Sequence, residues 1–340
     1  MATQMKAWRF YGRRDLRLEE VKLSQLAKDE VLIQVSRAGV CQTDLDEFIF
    51  GPKLFNPLSL IPGHEFGGKV VDKGQNVSSA LLGLNVGVLP LIGCGQCSYC
   101  QHGLINLCAQ KTYYGIMGQN GGFAEYAVVK ADNVFALPNP KLNNWLEILL
   151  TANHLWQQLS KETLFGKKVL ILGAGPVGLV CGLLLRAYDF EVYLCEAREK
   201  RRELARQNNF ETYSFLEEVK ENSFDIFVDC AGEDPILPTT SEWVARILRP
   251  EGKLAMLGIY FNPIQLSGIE LISKEIKLIP VFMYAKEAIS SLQQLLEMVT
   301  GPLLQLPVHE FAWTKLVDIL VELEINKDNY LKAVLTYAHN

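Results

Sequence analysis

Lys167-Lys168-Val169-Leu170-Ile171-Leu172-Gly173-Ala174-Gly175-Pro176-Val177-Gly178-Leu179-Val180 decides the fold of this chain. Residues 169–172 form a short apolar run with β-branched members, the pattern of a strand buried on both faces. Gly173-Ala174-Gly175-Pro176-Val177-Gly178 follows at once and spells G-x-G-x-x-G. Residues 179–187 then read as a helix. The three glycines act separately. Gly173 permits a tight turn, Gly175 lets a pyrophosphate approach the backbone, and Gly178 lets helix and strand pack closely. The helix N-terminus adds free N–H groups and the positive end of its dipole.

The surroundings strengthen that motif. Phe190-Glu191-Val192-Tyr193-Leu194-Cys195 reads as a second strand with Glu196 at its end, 18 residues after Gly178. An acidic side chain near this position holds a ribose 2′-hydroxyl in dinucleotide sites. The plainer alternative is a glycine-rich turn with no nucleotide. A membrane helix over residues 169–185 is excluded, because 17 uncharged residues are short for a span and include four glycines and a proline.

The chain has 340 residues, enough for two domains and a large core. A hydrophobic content of 49% with 21% charged residues is ordinary globular composition. A net charge of −5 argues against nucleic acid or an anionic membrane as the main partner. Met1-Ala2-Thr3-Gln4-Met5-Lys6 has no apolar core of an export signal, so the expected location is the cytoplasm. There, eight cysteines point to metal ligands or core thiols rather than a disulfide framework.

Residues 1–35 read as β-rich, with strand patterns at 6–10, 16–21 and 30–35. Cys41 lies in Ala38-Gly39-Val40-Cys41-Gln42-Thr43-Asp44, and His64 and Glu65 lie in Pro62-Gly63-His64-Glu65-Phe66. Alone, each suits a core thiol or a loop histidine; together they offer sulfur, imidazole and carboxylate to one zinc. Gly93-Cys94-Gly95-Gln96-Cys97-Ser98-Tyr99-Cys100 continues to Cys108, spaced C-x2-C-x2-C-x7-C. Four thiolates close a tetrahedral shell, so Cys94, Cys97, Cys100 and Cys108 suit a structural zinc; an iron–sulfur cluster or disulfides are the alternatives. His102 reads as a surface residue of that loop. Residues 121–129 return to strand pattern, and residues 142–160 are apolar at helical spacing. Strands alternate with helices from 167 to about 285, which implies a parallel doubly wound sheet.

These motifs, in this order, resemble the zinc-containing medium-chain dehydrogenase/reductase superfamily of alcohol, sorbitol, threonine and butanediol dehydrogenases. The resemblance covers nearly the whole chain, and residues 45–52 are most similar to the butanediol branch. It implies an α/β protein: a GroES-like β-rich catalytic domain (1–148) carrying the zinc loop (94–108), a Rossmann doubly wound parallel-sheet dinucleotide-binding domain (149–286), and a return to the first domain (287–340). It implies a homodimer or homotetramer acting on a small alcohol or carbonyl. The cofactor would be held by Gly173, Gly175, Pro176, Val177, Gly178, Glu196 and Arg201. NAD is expected over NADP because Glu196 would repel a 2′-phosphate; Arg198 and Arg202 nearby keep NADP open.

By the same resemblance, Cys41, His64 and Glu65 match ligands or neighbours of a catalytic zinc, and Thr43 matches the hydroxyl that bonds the substrate oxygen. Asp46 stands where relatives often carry a histidine relaying protons. Relatives also place a zinc-ligating Glu or Cys at the start of the linking helix. Counting back from Gly173, that position falls on Leu149 or Leu150, which cannot ligate. Glu147 qualifies only if the local alignment shifts, and His154 reads as a helix-surface histidine. Three functions follow: a zinc- and NAD(H)-dependent alcohol or polyol dehydrogenase, a reductase keeping only the structural zinc, or a non-catalytic dinucleotide-binding protein.

Overall fold

The structure, a computed structural model, describes residues 4–233 and 241–338. Residues 1–3, part of the opening segment read for an export signal, lie outside them. The chain divides into two compact units, Met1–Glu147 with Leu304–Asn340, and Ile148–Leu303.

The first unit is organised on the strand Glu30–Val40. Its first half pairs antiparallel with Tyr126–Lys130, its second half with Ala333–Thr336, and much of its other edge with Glu65–Lys73. That shared pairing explains a strand about twice as long as the 30–35 run expected from its alternation. Asn85–Val88, Val134–Ala136 and His309–Ala312 extend the sheet outward. Gln4–Gly12 and Asp15–Lys22 form a hairpin. Ala7, Ile33, Val35, Phe66, Val86, Phe123 and Leu335 are among the side chains of its core.

Among the described residues, the second unit holds a six-stranded parallel sheet. Its order is Glu211–Tyr213, Glu191–Cys195, Lys168–Leu172, Phe224–Asp229, Leu248–Met256 and Lys277–Pro280. In chain order this is 3-2-1-4-5-6, the doubly wound arrangement whose direction reverses beside the first strand. Leu170, Leu172, Phe224, Phe227, Leu248 and Leu254 pack on one another and are fully buried. Residues 169–172 are fully buried as well, as an apolar run without alternation requires.

Two boundaries differ from the sequence expectation. The helix begins at Leu146 and ends at Leu159. Before it, Pro140–Asn144 forms a separate 3₁₀ turn, started by Asn139, whose side chain accepts the Lys141 N–H at 2.9 Å. Residues 287–303 lie with the second unit, so the return comes later than 287. Asn153 holds this stretch by donating to Ala288 O at 3.1 Å and Ser291 Oγ at 2.8 Å.

Candidate metal and nucleotide sites

In the first unit, neighbouring strand ends converge. Cys41 follows Val40, the last residue of its strand, and caps the helix Gln42–Phe50. Glu65 opens the adjacent strand and pairs with Gly39. Lys332 precedes Ala333, which pairs with Val40 on the other side. Sheet order therefore gathers residues far apart in the chain. Ligand atoms of Cys41, His64 and Glu65 all lie within 4.8 Å of one another. His64 Nδ1 and Glu65 Oε1 are buried without a hydrogen-bond partner among the described residues. Buried polar atoms without partners are costly; a cation shared by this donor set would satisfy the Glu65 oxygen, while His64 Nδ1 faces Asp44. The residues fit a zinc ion.

Several groups tune this cluster. Lys332, 3% exposed, forms an ion pair with Glu65 Oε2. A Cβ at Gly39 would lie 2.2 Å from that oxygen, so only glycine leaves room for the pair. Burial alone would lower the Lys332 ammonium pKa, but Glu65 and Cys41 outweigh it and raise the value. Asp44 accepts the Cys41 N–H at 2.9 Å, and its other oxygen lies 3.8 Å from His64 Nδ1. Burial pushes the Asp44 carboxyl up to about 6, against the pull of His64. For His64, burial is outweighed by Asp44, Cys41 and Glu65, which bring its pKa to about 10 in the metal-free protein. The pocket thus gathers Asp44, Glu65 and Cys41 around one imidazole, a setting that favours a cation.

Glu147 belongs to the same surroundings. Tyr113 donates to its Oε1 at 3.2 Å. Burial raises its carboxyl pKa; Glu65 adds to this, while His64, Tyr113 and Lys332 oppose it. Leu149 and Leu150, the positions that counting from Gly173 assigns to a ligand, are core residues with no exposure. His154 is not on the helix surface as expected but buried at 4% exposure. This helix is covered on more than one side, with Ala152, Asn153, Leu155 and Leu159 also buried. Sequence reasoning missed Lys332, Asp44 and Tyr113 as members of this cluster. Only the Asp44 position, three residues after the helix-capping Cys41, carried a local signal.

Thr43 Oγ1 lies 3.9 Å from Cys41 Sγ. Asp46, one turn on, accepts from Gln42 Nε2 at 2.8 Å. Burial raises the Asp46 carboxyl pKa, with Gln42 opposing.

The four-cysteine loop runs between the strands Leu91–Ile92 and Thr112–Tyr114. Cys94, Cys97, Cys100 and Cys108 bring their sulfurs within 4.8 Å of one another. Cys97 N–H donates to Cys94 Sγ and Cys94 N–H to Cys108 Sγ, both at 3.4 Å. N–H groups of Gln96 and Cys97 hold the Cys94 thiol down to about 6, which favours the thiolate a metal needs. His102 is exposed and binds Ser98 O at 2.7 Å.

In the second unit the glycine turn has the required geometry. Gly173 has φ +94°, the left-handed region that favours glycine. A Cβ at Gly178 would lie 1.9 Å from Gly173 O, so helix and strand need a glycine there. At Gly175, among the described residues, only Arg201 Nη1 comes within reach of a Cβ, at 3.8 Å. Pro176 starts the helix Pro176–Ala187, with Val177 and Gly178 in its first turn. The turn fits a dinucleotide pyrophosphate. Glu196 Oε2 accepts the Ala174 N–H at 3.1 Å, which ties the acid to the turn.

Family models match in two places: the alcohol dehydrogenase GroES-like domain over residues 27–139 and the zinc-binding dehydrogenase over residues 176–300. L-threonine 3-dehydrogenase of Pyrococcus abyssi is 30% identical over 286 residues, covering 80% of this chain and 80% of that protein. This chain belongs to the zinc-containing medium-chain dehydrogenase family. Sorbitol dehydrogenase of Bacillus subtilis is 28% identical over 294 residues, 83% of each chain. An Escherichia coli protein described as a short chain alcohol dehydrogenase, solved with NADH, has the same fold: TM-score 0.86, 23% identity, 99% of this chain and 100% of that one. The 2R,3R-butanediol dehydrogenase of Bacillus subtilis also shares it, with TM-score 0.83, 21% identity, and 98% and 100% covered.

Membership in the zinc-containing medium-chain dehydrogenases makes the chain an alcohol dehydrogenase-like oxidoreductase using zinc and a nicotinamide cofactor. It disfavours the non-catalytic alternative. Among the described residues, no helix is long and apolar enough to cross a membrane.

Proposed function

We propose that the protein interconverts a small alcohol or polyol and its carbonyl with NAD(H), using one catalytic and one structural zinc. The observation that carries this reading is the cluster of Cys41, His64 and Glu65, one ligand atom from each lying within 4.8 Å of the others. Three protein ligands with an open fourth place are what catalytic zinc requires. Cys94, Cys97, Cys100 and Cys108 leave no such place and serve stability. The catalytic zinc would polarise the substrate oxygen, and the nicotinamide would exchange the hydride.

The remaining work falls to side chains. Thr43 takes the hydrogen bond of the substrate oxygen and passes on its proton. Asp46, at i+3 on the same helix face, is the next acceptor. Burial raises its carboxyl pKa, with Gln42 opposing. Asp44 orients His64. Lys332 holds Glu65 beside the site, and Glu147 is the carboxylate available where the leucines are not. Glu196 favours NAD through its charge at the strand end.

A homo-oligomer fits this reading. Lys277–Pro280 is the outer strand of its sheet, and Ile269, Ile272, Leu278 and Phe282 nearby are exposed.

A screen of secondary alcohols, polyols and ketones with each nicotinamide nucleotide tests the proposal. Hydride transfer to at least one substrate, lost in Cys41→Ser, is expected. Full transfer by Cys41→Ser would overturn the catalytic-zinc assignment and leave the reductase that keeps only the structural zinc.

A further inference from the structure

Glu196 ends its strand almost wholly enclosed, at 1% exposure. Its Oε2 accepts the Ala174 N–H at 3.1 Å. Its Oε1 accepts the Arg198 N–H at 2.9 Å and lies 3.4 Å from Arg198 Nη1. A carboxylate offers about four lone-pair sites. Among the described residues three are used, and one remains, on Oε2. A ribose presenting two hydroxyls therefore finds one acceptor here, not two.

The charge is compensated as well. Arg198 is buried at the N-cap of the helix Glu199–Gln207, with its guanidinium against Glu196. Arg202 fixes the same turn by donating to Glu196 O and Ala197 O, each at 2.7 Å. Arg201 Nη1 lies by Gly175, where phosphates would pass. A lone acid at this strand end both rewards a 2′-hydroxyl and repels a 2′-phosphate. Here the reward is halved and the repulsion is screened by a positive neighbour.

We propose that Arg198 is a specificity-determining residue: by pairing with Glu196 it narrows the NAD preference, so that the protein also binds NADP(H). This rests on reading the 173–178 turn as the nucleotide site. Arg198 acts through Glu196 and need not touch the reacting atoms.

Nucleotide fluorescence titration of the wild type, Arg198→Ala, Arg198→Lys and Glu196→Gln with NADH and NADPH tests this without any substrate. For the wild type, the two dissociation constants should lie within about tenfold, the worth of a single charge-assisted hydrogen bond. Arg198→Ala should widen the ratio about tenfold, chiefly by weakening NADPH, since it removes one such bond and its charge. Arg198→Lys keeps the charge and should stay near the wild type, and Glu196→Gln should shift preference toward NADPH. A wild type that discriminates more than about a hundredfold, or an Arg198→Ala that weakens both nucleotides equally, overturns the inference while leaving the nicotinamide reading intact. A wild type that binds neither nucleotide overturns both.

Discussion

Lys332 Nζ and Glu65 Oε2 form a buried ion pair across the end of the strand Glu30–Val40, from the chain segments on its two sides, beside Cys41 and His64. The lysine is an internal cation that holds the carboxylate in place. Removing one partner of a buried pair leaves the other uncompensated. Lys332→Met should therefore cost about 3–5 kcal/mol in metal-stripped protein, measured by urea unfolding. Restoring neutrality with Lys332→Met/Glu65→Gln should recover part of that loss. Unchanged stability in Lys332→Met would show the pair to be incidental.

Cys94→Ser should act on stability rather than on chemistry. The four sulfurs lie within 4.8 Å of one another and would close around one ion, and a structural zinc contributes folding free energy. The variant should unfold at lower temperature and hold one zinc fewer, while NADH still binds. Disulfides among these cysteines in freshly purified protein would contradict the assignment.

Two glycines of one turn should respond differently to alanine. At Gly178 a Cβ would collide with Gly173 O at 1.9 Å, and backbone cannot yield as a side chain can. Overpacking of this kind costs about 1–3 kcal/mol, so Gly178→Ala should lower both stability and NADH affinity. At Gly175, among the described residues, the added methyl meets only Arg201 Nη1, at 3.8 Å. Gly175→Ala should fold normally and still bind NADH poorly, because the methyl occupies the approach of the pyrophosphate. Equal NADH affinity in Gly175→Ala and wild type would remove the nucleotide from this turn.

What can be read from sequence is local. The run at 169–172, the glycine spacing and the cysteine loop depend on neighbours a few residues apart, and all lie where their pattern implies. Lys332 and Glu65 depend on sheet order, which no short pattern encodes. Counting from Gly173 hides Glu147, because it assumes a fixed length for the segment between helix and strand. The helix start at Leu146 puts Glu147, not Leu149 or Leu150, next to Tyr113. His154 misleads because this helix is buried on more than one face, so one polar residue does not mark its outer side. The extent of the second unit to Leu303 likewise rests on tertiary bonds of Asn153.

Zinc content per chain, measured on wild type and Cys41→Ser alongside hydride transfer, tests the central claim most directly. The account predicts two zincs in active wild type, and one in a Cys41→Ser variant that binds NADH but transfers no hydride. A wild type that transfers hydride with a single zinc, bound by the four cysteines, would contradict it.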